Sequence, residues 1–73
     1  MSKLSERLVQ LQSTSNKQKK DIAESVGISV MAYYRYETGQ REPSAIILES
    51  LADYFDVSVD YLLGRTDNPQ INK

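Results

Sequence analysis

A chain of 73 residues makes one domain, near the lower limit for a hydrophobic core without staples. It has no cysteine and no histidine, which excludes disulfides, thiolate metal sites and Ser–His or Cys–His catalysis, and suits a reducing cytoplasm. The net charge of −1 looks wrong for a nucleic-acid binder, but it hides a strong asymmetry along the chain.

Residues 17–41 carry Lys17, Lys19, Lys20, Arg35 and Arg41 against Asp21, Glu24 and Glu37, a net of +2. Residues 42–64 carry Glu42, Glu49, Asp53, Asp56 and Asp60 and no basic side chain, a net of −5. Such a division is either a solvated acidic face or a polarised molecule with one pole turned towards phosphate. No apolar run is long enough to span a bilayer and the N-terminus lacks a signal-peptide pattern, so no membrane role is expected.

In chain order, Leu4, Leu8 and Leu11 recur at i, i+4 and i+7 and predict a first helix over about Ser2 to Ser13. The stretch STSN at 13–16 closes it, with Asn16 a tolerated left-handed terminator. A second helix runs from about Gln18 to Val26. Its Ile22 and Val26 lie on one face, and the small Ala23 beside them lets another helix cross close by. Gly27 ends it, Ile28 plugs the turn, and Ser29 caps a third helix over about Val30 to Glu37.

In that third helix Tyr33 and Tyr36 form the inward stripe, which turns Val30, Met31, Tyr34 and Arg35 outward. A strand would instead place Ile28, Val30, Ala32, Tyr34 and Tyr36 on one face, and the β-branched and aromatic content favours it locally. The Ala–x–x–x–Gly spacing upstream and the helical patterning on both sides decide for the helix.

Thr38 to Pro43 is a polar connection with both breakers. Ser44 caps a fourth helix whose stripe is Leu48, Leu51, Ala52 and Phe55, and Asp56 and Val57 interrupt it. Ser58 caps a short fifth helix, with Leu62 and Leu63 inward and Gly64 as its stop. Residues 65–73 are polar and look like a tail or the start of a linker. The expectation is therefore an all-α, compact five-helix domain over residues 1–64, with a helix–turn–helix at its centre.

A helix–turn–helix presents its second helix to the DNA major groove. Met31, Tyr34 and Arg35, with Val30 at the edge, are accordingly the candidate base contacts. Arginine matches a guanine edge, and Met or Val matches a thymine methyl. The plainer alternative is that Met31 and Tyr34 only cover the core edge. Lys19, Ser29, Thr38, Gln40 and Arg41 lie at helix starts or in the loop after the third helix, where side chains and amides reach phosphates. Ser29 has a competing role as a cap.

Ile46, Ile47 and Tyr54 fall outside the stripe of the fourth helix, as surface apolars or as an interface. Glu49, Asp53, Asp56 and Asp60 read as solvated surface and not as a metal cluster. With no glycine-rich phosphate loop either, no enzyme, cofactor or metal is expected.

Four segments, IAESVGIS at 22–29, RYETG at 35–39, EPS at 42–44 and DVSVDYLLG at 56–64, stand in one order and spacing. Together they make residues 7–64 resemble the five-helix DNA-binding domain of the Cro/phage-repressor-type (Xre-like) helix–turn–helix family. LLGRTDNP at 62–69 is similar to the junction at which phage-type repressors continue into the rest of the protein.

The resemblance implies a lambda-repressor-like fold and a cytoplasmic, sequence-specific transcription regulator, a repressor of phage or mobile-element type. Its partners would be double-stranded DNA and a second copy of itself, with an antirepressor or a C-terminal domain as further ones. Val59 matches a position where related repressors meet across a two-fold, and Ile46 is a second interface candidate. The rivals are an antitoxin or restriction-control regulator with the same domain, and a protein-interaction module docking through Ile46, Ile47 and Tyr54.

Four departures accompany the resemblance. Gln12 stands where the family has an arginine that pairs with the glutamate matching Glu37, so Glu37 needs another partner or solvent. Lys19 replaces a phosphate-binding glutamine, behind Gln18, a poor cap. Lys17 replaces an apolar residue at a corner of the core.

Overall fold

The computed structural model describes residues 3–70. It contains five helices: α1 (Lys3–Ser15), α2 (Lys19–Val26), α3 (Val30–Thr38), α4 (Ala45–Phe55) and α5 (Val59–Leu62). Among the described residues there is no strand, so the period of the core stripe prevails over the strand propensity of residues 28–36. Helix α1 runs two residues beyond Ser13 and ends with Asn16 at φ 58°. The expected start at Ser2 lies outside the described residues.

Caps set the boundaries of the later helices. Ser29, Ser44 and Ser58 each accept, through Oγ, the amide three residues on, at Ala32, Ile47 and Tyr61. Helix α2 has no such cap, because Gln18 makes no side-chain bond to it. At the other ends, Ile28, Gln40 and Val57 donate their amides back to Ala23, Arg35 and Ala52, closing α2, α3 and α4 in one pattern. The left-handed residue in that pattern is Gly27, Gly39 or Asp56.

The core sits where α1, α3 and α5 meet α2 and α4. Leu8, Ile22, Tyr33, Leu51 and Leu62 are its fully buried side chains, with Ala23, Val26, Tyr36 and Ala52 beside them. Small residues let the helices approach: Ser5 is wholly buried, and its Oγ lies 3.7 Å from where a side chain on Gly39 would begin.

Two expectations about apolar residues need correction. Leu63 is 40% exposed, because α5 is a single turn ending at Leu62 and neighbouring residues on a helix point 100° apart. Ile47 is half-buried against the core, whereas Ile46, about 100° further round α4, is 77% exposed. Lys17 is exposed, and where the resemblance places an apolar plug a cleft of about 410 Å³ opens between Leu11, Lys17, Tyr54 and Phe55.

Residues after α5 fold back on it. Gly64 turns the chain at φ 77° so close to α1 that an added Cβ would overlap Cβ and Cγ of Lys3. The Ser58 amide then donates to the Pro69 carbonyl at 2.9 Å, and Arg7 reaches Asp67 at 2.8 Å.

Candidate nucleic-acid interface

The turn between α2 and α3 fixes the candidate surface. Gly27 takes φ 77°, a conformation that L side chains rarely adopt, and Ile28 drops into the gap behind it. With Tyr33 and Tyr36 buried on the inner face of α3, Val30, Met31, Tyr34 and Arg35 fall on a continuous outer stripe. Met31 is 58% exposed and Tyr34 is 48% exposed, so neither is used up by the core edge. Arg35 is exposed, and among the described residues its guanidinium has neither an ion pair nor a hydrogen bond.

The sequence-derived phosphate candidates divide. Gln40 and Arg41 are exposed in the loop after α3, with both backbone amides turned back onto the Arg35 carbonyl at 3.0 and 3.4 Å. The Thr38 hydroxyl is committed to the same carbonyl at 3.2 Å. Ser29 Oγ accepts the Ala32 amide, which leaves its own proton free to donate.

Lys19 is not a free charge. Its Nζ lies 3.0 Å from Glu37 Oε1 and 2.6 Å from Gln12 Oε1, which joins α2 to both α3 and α1. Gln12 also donates through Nε2 to the Lys17 carbonyl at 3.2 Å, holding the approach to α2.

Behind that trio, Glu37 is 6% exposed, and its Oε2, like the Tyr33 hydroxyl, is buried without a hydrogen bond of standard geometry. The two groups still sense each other. Burial first, and then the adjoining Glu37 carboxylate, push the Tyr33 phenol well above its ordinary pKa, so it stays protonated.

Sequence reasoning missed Arg7. Its side chain is 11% exposed, stacks over the Tyr61 ring at 4.0 Å and pairs with Asp67. The signal was present: Leu4, Arg7, Leu8 and Leu11 stand at i, i+3, i+4 and i+7, so the arginine lies on the apolar stripe.

The interface candidates lie on the acidic side. Val59 is half-buried at the edge of a cleft of about 300 Å³ rimmed by Glu49, Asp53 and Asp60. Ile46 shares the outer face of α4 with Glu49 and Asp53, at i, i+3 and i+7. Tyr54 is half-buried and meets Phe55 edge to face, with centroids 5.1 Å apart. Among the described residues, no helix is long and apolar enough to cross a membrane.

Two short helices joined by a left-handed glycine, the second carrying an exposed stripe, define a helix–turn–helix of the Xre/Cro type. The chain belongs to the helix-turn-helix family, whose model matches residues 14–62. It is 41% identical over 64 residues to the uncharacterized HTH-type transcriptional regulator YobD of Bacillus subtilis, covering 88% of this chain and 57% of that protein.

It is also 37% identical over 70 residues to the cryptic phage CTXphi transcriptional repressor RstR of Vibrio cholerae, covering 93% and 62%. A third relative, the HTH-type transcriptional regulator AnsR of Bacillus subtilis, is 40% identical over 65 residues, covering 89% and 56%. The chain thus spans somewhat more than half the length of these curated relatives. No solved structure matches it.

Proposed function

We propose that this chain is the DNA-binding part of a transcription regulator, a repressor of phage type that binds its operator as a dimer. The observation that carries the reading is the outer stripe of α3, on which Arg35, unpaired among the described residues, stands one turn after Met31. In the proposed complex α3 enters the major groove. Arg35 donates two parallel hydrogen bonds to a guanine edge, and Val30, Met31 and Tyr34 meet neighbouring bases.

Ser29, Gln40 and Arg41 fix the register on phosphates, while the Thr38 proton stays on the Arg35 carbonyl and the Lys19 amine on Glu37 and Gln12. Two copies meet through the α5 region around Val59, with Ile46 at its border. The rim of Glu49, Asp53 and Asp60 then faces its own copy, which keeps the free dimer weak and leaves DNA to bring the subunits together. A repressor role is supported by the likeness to RstR, a phage transcriptional repressor, and by the geometry of occlusion: a dimer seated on a promoter excludes polymerase.

Selection from random duplexes tests the reading directly. It should return a two-fold site with half-sites about one helical turn, ~34 Å, apart. On that site Arg35→Ala should cost ~1–3 kcal/mol and relax the preference at one or two bases. Arg41→Ala should weaken specific and non-specific binding together and flatten the salt slope by about one unit. No enriched sequence, with little affinity for any duplex, would instead favour the interaction-module reading.

A further inference from the structure

We propose that Lys19 is a positioning residue for α3: it holds the recognition helix by its buried end, and its charge is spent inward on Glu37 and not outward on DNA. This rests on the reading of α3 as the element that enters the groove. The departure at position 12 and the departure at position 19 are then one event. Where the resemblance leads one to expect an arginine on α1 for Glu37, this chain has Gln12, and the missing cation arrives from the first residue of α2.

The geometry supports an exchange of the pair and not its loss. An ammonium has three donors and no acceptor. One proton of Lys19 goes to Glu37 Oε1 at 3.0 Å and another to Gln12 Oε1 at 2.6 Å. Gln12 therefore has a use in its altered form: it accepts from the lysine that replaced the family's arginine as partner of Glu37, and it braces the Lys17 carbonyl with its own amide.

Lys19 keeps only about a third of its side chain exposed, whereas Lys17 and Lys20 on either side are exposed. Of the three, Lys19 alone has an anionic partner among the described residues.

The consequence concerns how α3 is seated. Glu37 lies in its last turn, between Tyr36 and Thr38, and two residues from the exposed Arg35. Its Oε2, like the neighbouring Tyr33 hydroxyl, lacks a hydrogen bond of standard geometry, and among the described residues Lys19 supplies the one ion pair of that carboxylate. Removing it leaves a charge buried with nothing to balance it, a change that typically disrupts far more than loss of a surface pair. Helix α3 relieves that cost most directly by turning Glu37 towards water. The same rotation turns Arg35 and Met31 away from the positions they hold now.

A charge-relocation experiment decides the matter. Lys19→Gln restores the family's glutamine but removes the cation. It should lower the folding equilibrium constant on the order of a hundredfold in urea titrations. The double variant Lys19→Gln with Gln12→Arg puts the cation back on α1 and should recover most of that loss. Lys19→Gln with Glu37→Gln, which removes the buried charge instead, should recover part of it.

On the selected duplex, at a temperature where every variant is folded, Lys19→Gln should narrow the ratio of specific to non-specific affinity. The relocated pair should restore that ratio, with the salt slope unchanged throughout. Failure of Gln12→Arg to restore stability overturns the proposal. So does a specificity ratio that never moves, which would make the pair merely structural. A salt slope that falls by about one unit at constant ratio would make Lys19 an ordinary phosphate contact. The urea arm needs no DNA, so a failure to bind DNA at all is distinguishable from a failure of the ion-pair argument.

Discussion

Two corners of this molecule solve the same problem with different means. At the helix–turn–helix, a buried carboxylate, Glu37, is balanced by a half-sheltered Lys19, and Gly27 turns the chain in open space, with nothing within 4 Å of where a Cβ would lie. At the C-terminal corner, a buried guanidinium, Arg7, is covered by the Tyr61 ring and paired with an Asp67 that is 98% exposed. There Gly64 is jammed against Lys3 of α1. The first corner is held by a charge pair whose carboxylate is buried. The second is held by packing, with an ion pair at its outer edge. Electrostatics should therefore dominate perturbations near the proposed DNA surface, and steric fit should dominate those where α5 leaves the domain.

The sharpest break of that comparison comes from placing the same substitution at both turns. Gly27→Ala meets no neighbour and should cost about 1 kcal/mol, the strain of a left-handed alanine. Gly64→Ala carries the same strain and must also displace the root of the Lys3 side chain, a further 1–3 kcal/mol on the scale of overpacking, for a total of about 3 kcal/mol. Urea unfolding of the two variants measures the difference. Equal losses would mean that α1 yields freely at Lys3 and that the C-terminal corner is not sterically held.

Alkaline pH should sharpen the other side of the comparison. The folded state raises the Tyr33 phenol above its ordinary value of about 10, so folding favours the protonated form. The sign follows from linkage. The stability tied to this group is fully present below about pH 10 and is lost as pH rises above it, because only the unfolded chain then releases the proton readily. One such group gives a slope approaching ~1.4 kcal/mol per pH unit. Tyr33→Phe should remove that slope while changing neutral-pH stability little, since it deletes a hydroxyl that makes no hydrogen bond of standard geometry among the described residues. If the phenylalanine variant lost stability above pH 10 as steeply as the parent, the helix–turn–helix corner would not be where the alkaline sensitivity resides.

These contrasts also explain what was legible in the sequence. Serine caps, left-handed terminators and the Tyr33–Tyr36 stripe act within a few residues of chain. They gave the five helices to within two residues wherever a predicted boundary is described, even through a segment with strand-like composition. The exposure of Met31, Tyr34 and Arg35 followed from the same periodicity.

What was not legible depends on contacts between distant parts of the chain. Nothing near Lys19 announces that its amine reaches Glu37, eighteen positions on and in another helix. The departure at Gln12 raised the question of a partner, but only the crossing of α1, α2 and α3 answers it. Arg7 was hidden for the opposite reason: it sits openly on the leucine stripe, where a charged residue is easily passed over. Leu63 failed because a helix of one turn has too little length for its period to constrain which leucine is inside.

The smallest effect belongs to the ion pair at the edge of the C-terminal corner, and it tests whether residues 65–69 are held by charge or by the backbone. Asp67 is almost wholly in water, so its attraction to Arg7 is screened, and exposed pairs contribute little to stability. Arg7 keeps the Tyr61 ring when Asp67 is gone, and the Ser58 amide keeps its bond to the Pro69 carbonyl. Asp67→Asn should therefore leave the urea midpoint within error.

Amide exchange is the finer probe, because the Ser58 amide is protected by Pro69 and so reports whether the segment still lies across the start of α5. If packing holds the corner, exchange at Ser58 should quicken by no more than a few-fold in Asp67→Asn, whereas Arg7→Ala, which also uncovers Tyr61, should quicken it strongly. Should the aspartate variant alone release Ser58 to the rate of an open amide, the returning segment would be fastened by charge after all. The two corners would then differ only in how deeply their ion pairs are buried.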